Sequence, residues 1–171
     1  MNFDEFRPGQ LLTYGPDTVS EAEMLAFARE YDPQWFHADL ARANVGRWNG
    51  LIASGWQTCS IAMRLVVNGA LEGSESFGSP GLEYLKWLAP VRPGDALMLE
   101  AEVLDVRRSE RQPTPGILRW RWRLPNQEGG AVLELLPTSL FELAEGPERL
   151  PYPRRGPGRP VTPSRREPIT P

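Results

Sequence analysis

The chain contains a single histidine, His37, so any acid–base chemistry that depends on an imidazole must use this residue. Asp32 precedes it by five positions. A carboxylate held beside an imidazole can take up and return a proton near neutral pH. A histidine can equally be a hydrogen-bonded structural side chain. The elements that position His37 and the residues around it therefore decide between the two interpretations.

Local signals place Asp32 at the end of a helix. A Ser-x-x-Glu capping box opens a segment whose apolar residues repeat at helical spacing as far as Tyr31. Pro33 disfavours the helical conformation at Asp32, so the helix should stop at Tyr31. We therefore expect His37 in the following loop or turn, and a further short helix over residues 38–43.

A second helix start lies in the segment 50–57. Ser54 and Gln57 have capping-box spacing and predict a helix that runs to about Val67. Gly55 would then be its first residue, with a backbone N–H that has no partner inside the helix. Because glycine has no Cβ, a carbonyl can approach it closely, and the helix dipole adds partial positive charge there. Such an N–H could polarise a thioester carbonyl.

The remaining pattern predicts an α+β fold. The helix that begins at Gly55 is apolar on most faces, which is typical of a buried helix. A Gly/Ser-rich loop is expected over 69–81. Four strands should follow, over residues 82–88, 96–106, 117–124 and 131–143. We expect an antiparallel sheet wrapped against the central helix.

Composition restricts the class of protein. The chain has 171 residues, 40% of them hydrophobic, and a net charge of −3, which gives no sign of nucleic-acid binding. Cys59 is the only cysteine, so neither an intrachain disulfide nor a cysteine-rich zinc site is expected. The acidic N-terminus lacks the apolar core of a signal peptide, and no apolar run is long enough to span a bilayer. We therefore expect a soluble cytoplasmic protein with no membrane partner.

The last 26 residues differ from the rest. Residues 146–171 contain eight Pro and six Arg and almost no residues that form a core. Such a segment cannot bury enough apolar surface to offset the entropy of ordering it. We predict a globular domain over residues 1–145 and an extended tail over 146–171. The alternative for the tail is a basic arm that binds an acidic partner.

Three stretches, residues 31–39, 50–58 and 87–95, together resemble the MaoC-like (R)-specific enoyl-CoA hydratase and acyl dehydratase family. They occur in the family's order and at similar separations, within a resemblance that covers roughly residues 5–143. It implies the hotdog fold, in which an antiparallel sheet wraps a long central helix. It also implies reversible hydration of a 2-enoyl thioester, no metal or redox cofactor, and a homodimer or higher homo-oligomer. Coenzyme A or the pantetheine arm of an acyl carrier would arrive as part of the substrate.

The resemblance assigns roles to individual residues. Asp32 and His37 match the Asp and His that hold the catalytic water, and Gly55 matches the glycine whose N–H binds the thioester oxygen. The residues expected to contact substrate are Gln34, Trp35, Ser54 and Trp56. Two of them depart from the family pattern, since Gln34 stands where Asn is common and Trp35 where Pro is common. Trp35 is therefore expected to reshape the mouth of the pocket.

Two other functions remain open from the sequence. A hotdog thioesterase would direct water at the carbonyl carbon, often with a carboxylate on the central helix. The run from Gln57 to Asn68 contains no Asp or Glu, which counts against it. A non-catalytic thioester-binding module would be favoured if Trp35 blocked the pocket, whereas the presence of Asp32, His37 and Gly55 together favours an enzyme.

Overall fold

Nine helices and strands make up the described part of the chain. The computed structural model describes residues 1–109 and 115–143, so the predicted tail lies outside the described residues. The elements are, in chain order, β1 (Leu11–Thr18), α1 (Glu21–Tyr31), α2 (Trp35–Ala38), α3 (Leu40–Val45), α4 (Gly55–Val66), β2 (Ser76–Trp87), β3 (Ala96–Arg108), β4 (Pro115–Pro125) and β5 (Ala131–Glu142). A 3₁₀ turn (Phe3–Glu5) precedes β1, and a π-helical turn (Val67–Leu71) follows α4.

The five strands form one antiparallel sheet in the order β1-β3-β4-β5-β2. Strands β3, β4 and β5 are neighbours both in the chain and in the sheet. β2 enters the sheet after α4 and pairs with β5, so β1 and β2 are the edges. α4 contacts β1 and β3 on the inner face. This is the α+β hotdog fold, as expected.

Strict alternation along β4 separates the two faces of the sheet. Trp120, Trp122 and Leu124 are buried on the inner face. The intervening arginines point outward and pair with glutamates of other strands: Arg121 with Glu102 and Arg123 with Glu100, both on the neighbouring β3, and Arg119 with Glu83 of β2, on the far side of β5. Such exposed pairs each contribute only about 0–1 kcal/mol. The inner face therefore supplies most of the sheet's stability.

The structure corrects two predictions about elements. α4 is not buried on all sides, because Trp56 and Met63 lie on an exposed outer face. The second part of the predicted loop 69–81 is not loop either, since β2 already begins at Ser76. The first half of β2 is rich in Gly and Ser, which are weak strand formers. Backbone pairing with the end of β5 nevertheless extends the strand, as in the pair Ser76–Phe141.

Candidate active site

The end of α1 positions Asp32. Ser20 and Glu23 form the predicted capping box at the start of this helix. At the other end, the Asp32 N–H still donates to the Ala28 carbonyl at 2.9 Å, while the Asp32 backbone has left the helical conformation, with φ −149° and ψ 69°. Pro33 accounts for this exit. The carboxylate therefore projects from a rigid helix end, as predicted.

His37 lies in a helix, not in the loop or turn predicted from the sequence. After Pro33 the chain re-enters the helical conformation at once, and Gln34 acts as the N-cap of the four-residue α2. The His37 N–H donates to the Gln34 carbonyl at 2.9 Å. The expected helix over 38–43 is likewise displaced, since α3 covers Leu40–Val45. This short turn buries the imidazole, leaving it 6% exposed.

The carbonyl of Ile52 sets the orientation of the imidazole. His37 Nδ1 lies 2.8 Å from this oxygen. A carbonyl oxygen can only accept, so Nδ1 carries a proton and donates. In the neutral imidazole Nε2 is then an acceptor, and it lies 3.5 Å from Asp32 Oδ2. Two potential acceptors thus face each other across a short gap.

Two neutral donors hold the carboxylate of Asp32. Ser54 Oγ donates to Oδ2 at 2.7 Å, and Gln34 Nε2 donates to Oδ1 at 2.8 Å. Partial burial acts to raise the pKa of Asp32. The hydrogen bonds from Gln34 and Ser54, together with the charge that His37 carries when it is protonated, outweigh it and lower that pKa below its ordinary value. Asp32 is therefore a carboxylate at neutral pH.

Ser54 connects the carboxylate to the start of α4. Its Oγ accepts from the Trp56 N–H at 3.3 Å while its hydroxyl donates to Asp32. The predicted capping box with Gln57 is wrong, because no such reciprocal pair forms at this helix start. The Gln57 side chain is instead buried in the protein.

Gly55 is the first residue of α4, and its N–H has no acceptor within residues 1–109 and 115–143. The side of the glycine where a Cβ would stand is not open, however. The Trp87 indole covers it: a Cβ there would lie 2.6 Å from the ring, and Trp87 Nε1 donates to the Gly55 carbonyl at 2.9 Å. Gly55 is thus required for packing against Trp87, and its N–H remains a free donor beside Ser54.

Comparison with known proteins identifies the family of this chain. The MaoC-like domain family model matches residues 5–116, which is more than half of the chain. The chain belongs to the MaoC-like family. It is 37% identical over 105 residues to the uncharacterised protein YdeM of Bacillus subtilis strain 168, which covers 61% of this chain and 74% of that protein.

Two solved structures are similar to this MaoC-like chain. A MaoC-like dehydratase from Rhodospirillum rubrum is 33% identical with a TM-score of 0.76, over 82% of this chain and 96% of that one. The R-hydratase PhaJ1 from Pseudomonas aeruginosa, unliganded, is 22% identical with a TM-score of 0.67, over 90% and 96% of the two chains. The second match, at its low identity, shows a shared fold.

The substrate-binding residues expected in this MaoC-like protein fall into two groups. Gln34 and Ser54 touch the Asp32 carboxylate directly. Trp35 instead packs against the turn after α3: a Cβ on Gly46 would lie 2.5 Å from its ring, and the Arg42 guanidinium stands 5.4 Å from the ring centroid. These contacts fix α2 against α3.

Trp56 is exposed on the outer face of α4 and meets Trp87 edge to face, with ring centroids 5.5 Å apart. The two tryptophans form a surface pair beside Gly55. Two other contributors to the site were not predicted from the sequence. Trp87 lies in a stretch that carries the family resemblance, which could have drawn attention to it. Ile52 acts through its backbone carbonyl, which no residue pattern could reveal.

No helix among the described residues is both long enough and apolar enough to cross a membrane.

Proposed function

We propose that this MaoC-like protein catalyses the reversible addition of water to a trans-2-enoyl thioester, carried on coenzyme A or on the pantetheine of an acyl carrier. The observation that carries the proposal is the 3.5 Å separation of Asp32 Oδ2 and His37 Nε2. Each group is oriented by its own partner, Ser54 for the carboxylate and the Ile52 carbonyl for the imidazole. Two acceptors so placed are satisfied by one molecule that donates to both, and water is the smallest such donor.

The reaction follows from this geometry. A water at ordinary hydrogen-bond distance, about 2.8 Å, from both acceptors has its oxygen free to attack C3 of the enoyl group. As the C3–O bond forms, the pair takes one proton from the water, and the π electrons move towards the thioester oxygen. The Gly55 N–H, at the positive end of α4, stabilises the charge that builds there. A proton returned to C2 completes the addition.

The proposed reaction needs no resident metal or redox cofactor. The competing functions gain less support. α4 has no Asp or Glu to direct water at a carbonyl carbon, which disfavours a thioesterase. A blocked pocket would favour a non-catalytic module, but the contacts of Trp35 with Gly46 and Arg42 give no support for a block.

The proposal includes pairing of two copies, in the cytoplasm. β2 is an edge strand whose side chains are mostly exposed, among them the apolar Phe77 and Leu82. Met63 and Trp56 are exposed on α4. An edge strand with apolar side chains invites pairing with another chain.

The deciding experiment incubates the full chain with a panel of trans-2-enoyl-CoA esters and follows the loss of absorbance of the conjugated double bond. Asp32→Asn and His37→Gln should each lower kcat by at least about 100-fold, because each replaces a group that can take up a proton with an amide that cannot. The double variant should fall by less than the product of the two effects, since both residues act on one water.

Asp39→Asn is the matched control. Asp39 caps α3 by accepting from the Arg42 N–H, a role that Asn fills equally well, so activity should be retained. Circular dichroism should show an unchanged fold in all variants. An Asp32→Asn or His37→Gln protein that kept more than half of its activity on the best substrate would rule out the mechanism.

A further inference from the structure

Two hydrogen bonds fix the peptide unit between Ile52 and Ala53. Its carbonyl accepts from His37 Nδ1 at 2.8 Å, and its N–H, that of Ala53, donates to the Val91 carbonyl at 2.9 Å. Because a peptide unit is planar, the second bond also orients the carbonyl that meets the imidazole. The orientation of His37 therefore depends on the segment 91–95, which lies between β2 and β3 and carries part of the family resemblance.

The side chain of Arg92, in this segment, holds the stretch of chain that leads to Ile52. Its Nη2 donates to the Trp48 carbonyl at 2.6 Å, and its Nη1 lies 3.5 Å from the Leu51 carbonyl. One guanidinium thus spans the two ends of the stretch 48–51. Within residues 1–109 and 115–143 no carboxylate pairs with this guanidinium, so its donors are directed at the backbone carbonyls.

The turn that carries Arg92 is itself anchored. The Arg92 N–H donates to Asp95 Oδ2 at 2.8 Å, and the Gln127 amide donates to Asp95 Oδ1 at 3.0 Å. Asp95 is buried, and its backbone carbonyl accepts from the Val19 N–H at 2.9 Å. The guanidinium therefore extends from a fixed turn and can hold the neighbouring loop in place.

The second arrangement open to the imidazole shows why this contact matters. His37 Nε2 lies 3.5 Å from Asp32 Oδ2. If the Ile52 carbonyl moved away from Nδ1, the neutral imidazole could carry its proton on Nε2 and donate it to the carboxylate, because the bond made by one ring nitrogen decides which of them is protonated. That bond would join the two groups directly and leave no acceptor on the imidazole for a water.

We infer that Arg92 is a positioning residue, which acts through the Ile52 carbonyl and keeps the proton of the neutral His37 on Nδ1. Its catalytic meaning rests on the proposed hydratase function, since an unprotonated Nε2 is what the attacking water requires. The tautomer of the imidazole, by contrast, is measurable without any substrate.

The single histidine makes this measurement direct. Protein labelled with ¹⁵N at histidine alone gives one pair of ring-nitrogen NMR signals, and the protonated and unprotonated nitrogens of a neutral imidazole differ widely in chemical shift. At a pH above which these shifts no longer change, the wild type should carry the proton on Nδ1. Arg92→Met, which keeps a long side chain and removes every donor, should move the proton towards Nε2.

Turnover of the best enoyl-CoA ester is the second measurement. Arg92→Met should lower kcat at least about tenfold and leave KM within about twofold, because the water loses an acceptor while substrate binding is retained. Arg92→Lys offers a single ammonium for the two carbonyls and should lie between the wild type and Arg92→Met in both measurements. Arg47→Met is the matched control, since Arg47 is exposed in the same loop and has no hydrogen bond or ion pair with the described residues.

The wild-type pattern of signals in a folded Arg92→Met protein would overturn the inference and leave the hydratase function intact. So would a changed tautomer with an unchanged kcat, or a wild type that carries the proton on Nε2. If Arg92→Met does not fold, Arg92→Lys decides, and wild-type shifts in that variant would overturn the inference equally. The expected change of tautomer in a protein that hydrates no ester would instead overturn the proposed function and leave Arg92 as the residue that sets the tautomer.

Discussion

Asp32 accepts a hydrogen bond at each of its carboxylate oxygens, one from Gln34 and one from Ser54. Both donors are neutral, so they orient the carboxylate and stabilise its charge without neutralising it. His37 has a similar arrangement on its other side, where the Ile52 carbonyl holds Nδ1. The pair is therefore fixed by groups outside the pair: His37 keeps Nε2 available for chemistry, and Asp32 Oδ2 can accept a second hydrogen bond.

The lowered pKa of Asp32 predicts a specific pH dependence of stability. Because this pKa is lower in the folded than in the unfolded protein, the ionised carboxylate stabilises the fold at pH values above its unfolded pKa, about 3.9. That contribution is lost as the pH falls through the lower, folded value. The unfolding free energy of the wild type relative to Asp32→Asn should be constant near neutral pH. It should decrease below about pH 4, where the wild type loses the contribution of the ionised carboxylate.

Urea denaturation between pH 3 and pH 7 measures this difference. Ser54→Ala removes a donor to the carboxylate and should raise the folded pKa of Asp32 towards the unfolded one, so the loss should be smaller and should be complete at a higher pH. If the wild type and Asp32→Asn lost stability in parallel throughout the acid range, Asp32 would have no lowered pKa.

For individual residues, the sequence predicts which side chains form the site better than it predicts the groups that hold them in place. The types and spacing of Asp32 and His37 predict a pair, and the structure places them 3.5 Å apart. The bond from His37 to the Ile52 carbonyl joins residues 15 positions apart through a backbone group, and it depends on tertiary packing. Trp35 illustrates the same limit: its size is visible in the sequence, whereas its contact with Gly46 is not.

Among the secondary-structure elements, the start of α4 is coupled to the end of β2. Trp87 is the last residue of β2, and its indole both bonds the Gly55 carbonyl and fills the space beside the Gly55 Cα. The position of the α4 N-terminus, with its free N–H, therefore depends on how an edge strand ends.

A double-mutant cycle tests this coupling. Gly55→Ala introduces a Cβ that must displace the Trp87 ring, so it should destabilise the protein and slow turnover. In a Trp87→Leu background the obstruction is smaller, and the same substitution should destabilise less. A coupling of at least about 0.5 kcal/mol is expected for residues in direct contact. Unfolding free energies of the four proteins measure it, and strictly additive effects would show that the ring does not constrain Gly55.

Regular elements were predictable where local signals agree. Three features depend only on residues that are close in sequence: the capping box of α1, the glycine at the start of α4 and the alternation along β4. α2 was missed because its four residues, Trp35–Ala38, are too few to show a helical periodicity. β2 began earlier than predicted because the glycines and serines near Ser76 are held in the sheet by pairing with β5 and not by their own propensity.

For the whole molecule, the exposed apolar side chains on one edge of the sheet predict a dimer. Phe77 and Leu82 on β2 are 55% and 47% exposed. Full-length protein should sediment as a dimer at micromolar concentration, and Phe77→Lys combined with Leu82→Lys should shift it to monomer, because charges on an edge strand oppose pairing.

Leu11→Lys is the matched control, since Leu11 is an exposed apolar residue on the opposite edge strand, β1. It should leave the dimer intact. A wild-type protein that is monomeric at micromolar concentration would contradict the proposed pairing. The division into a domain over 1–145 and a tail over 146–171 stays a prediction, because the tail lies outside the described residues.

The bond between His37 Nδ1 and the Ile52 carbonyl also has a stereochemical consequence. With Nδ1 committed, a proton can enter and leave the imidazole only through Nε2, the atom that faces Asp32. In the proposed reaction, the proton taken from water and the proton given to C2 therefore pass through the same side of the substrate plane. Hydroxyl and hydrogen arrive on one face of the double bond, so the addition is syn, and in heavy water the deuterium at C2 and the new hydroxyl at C3 share that face.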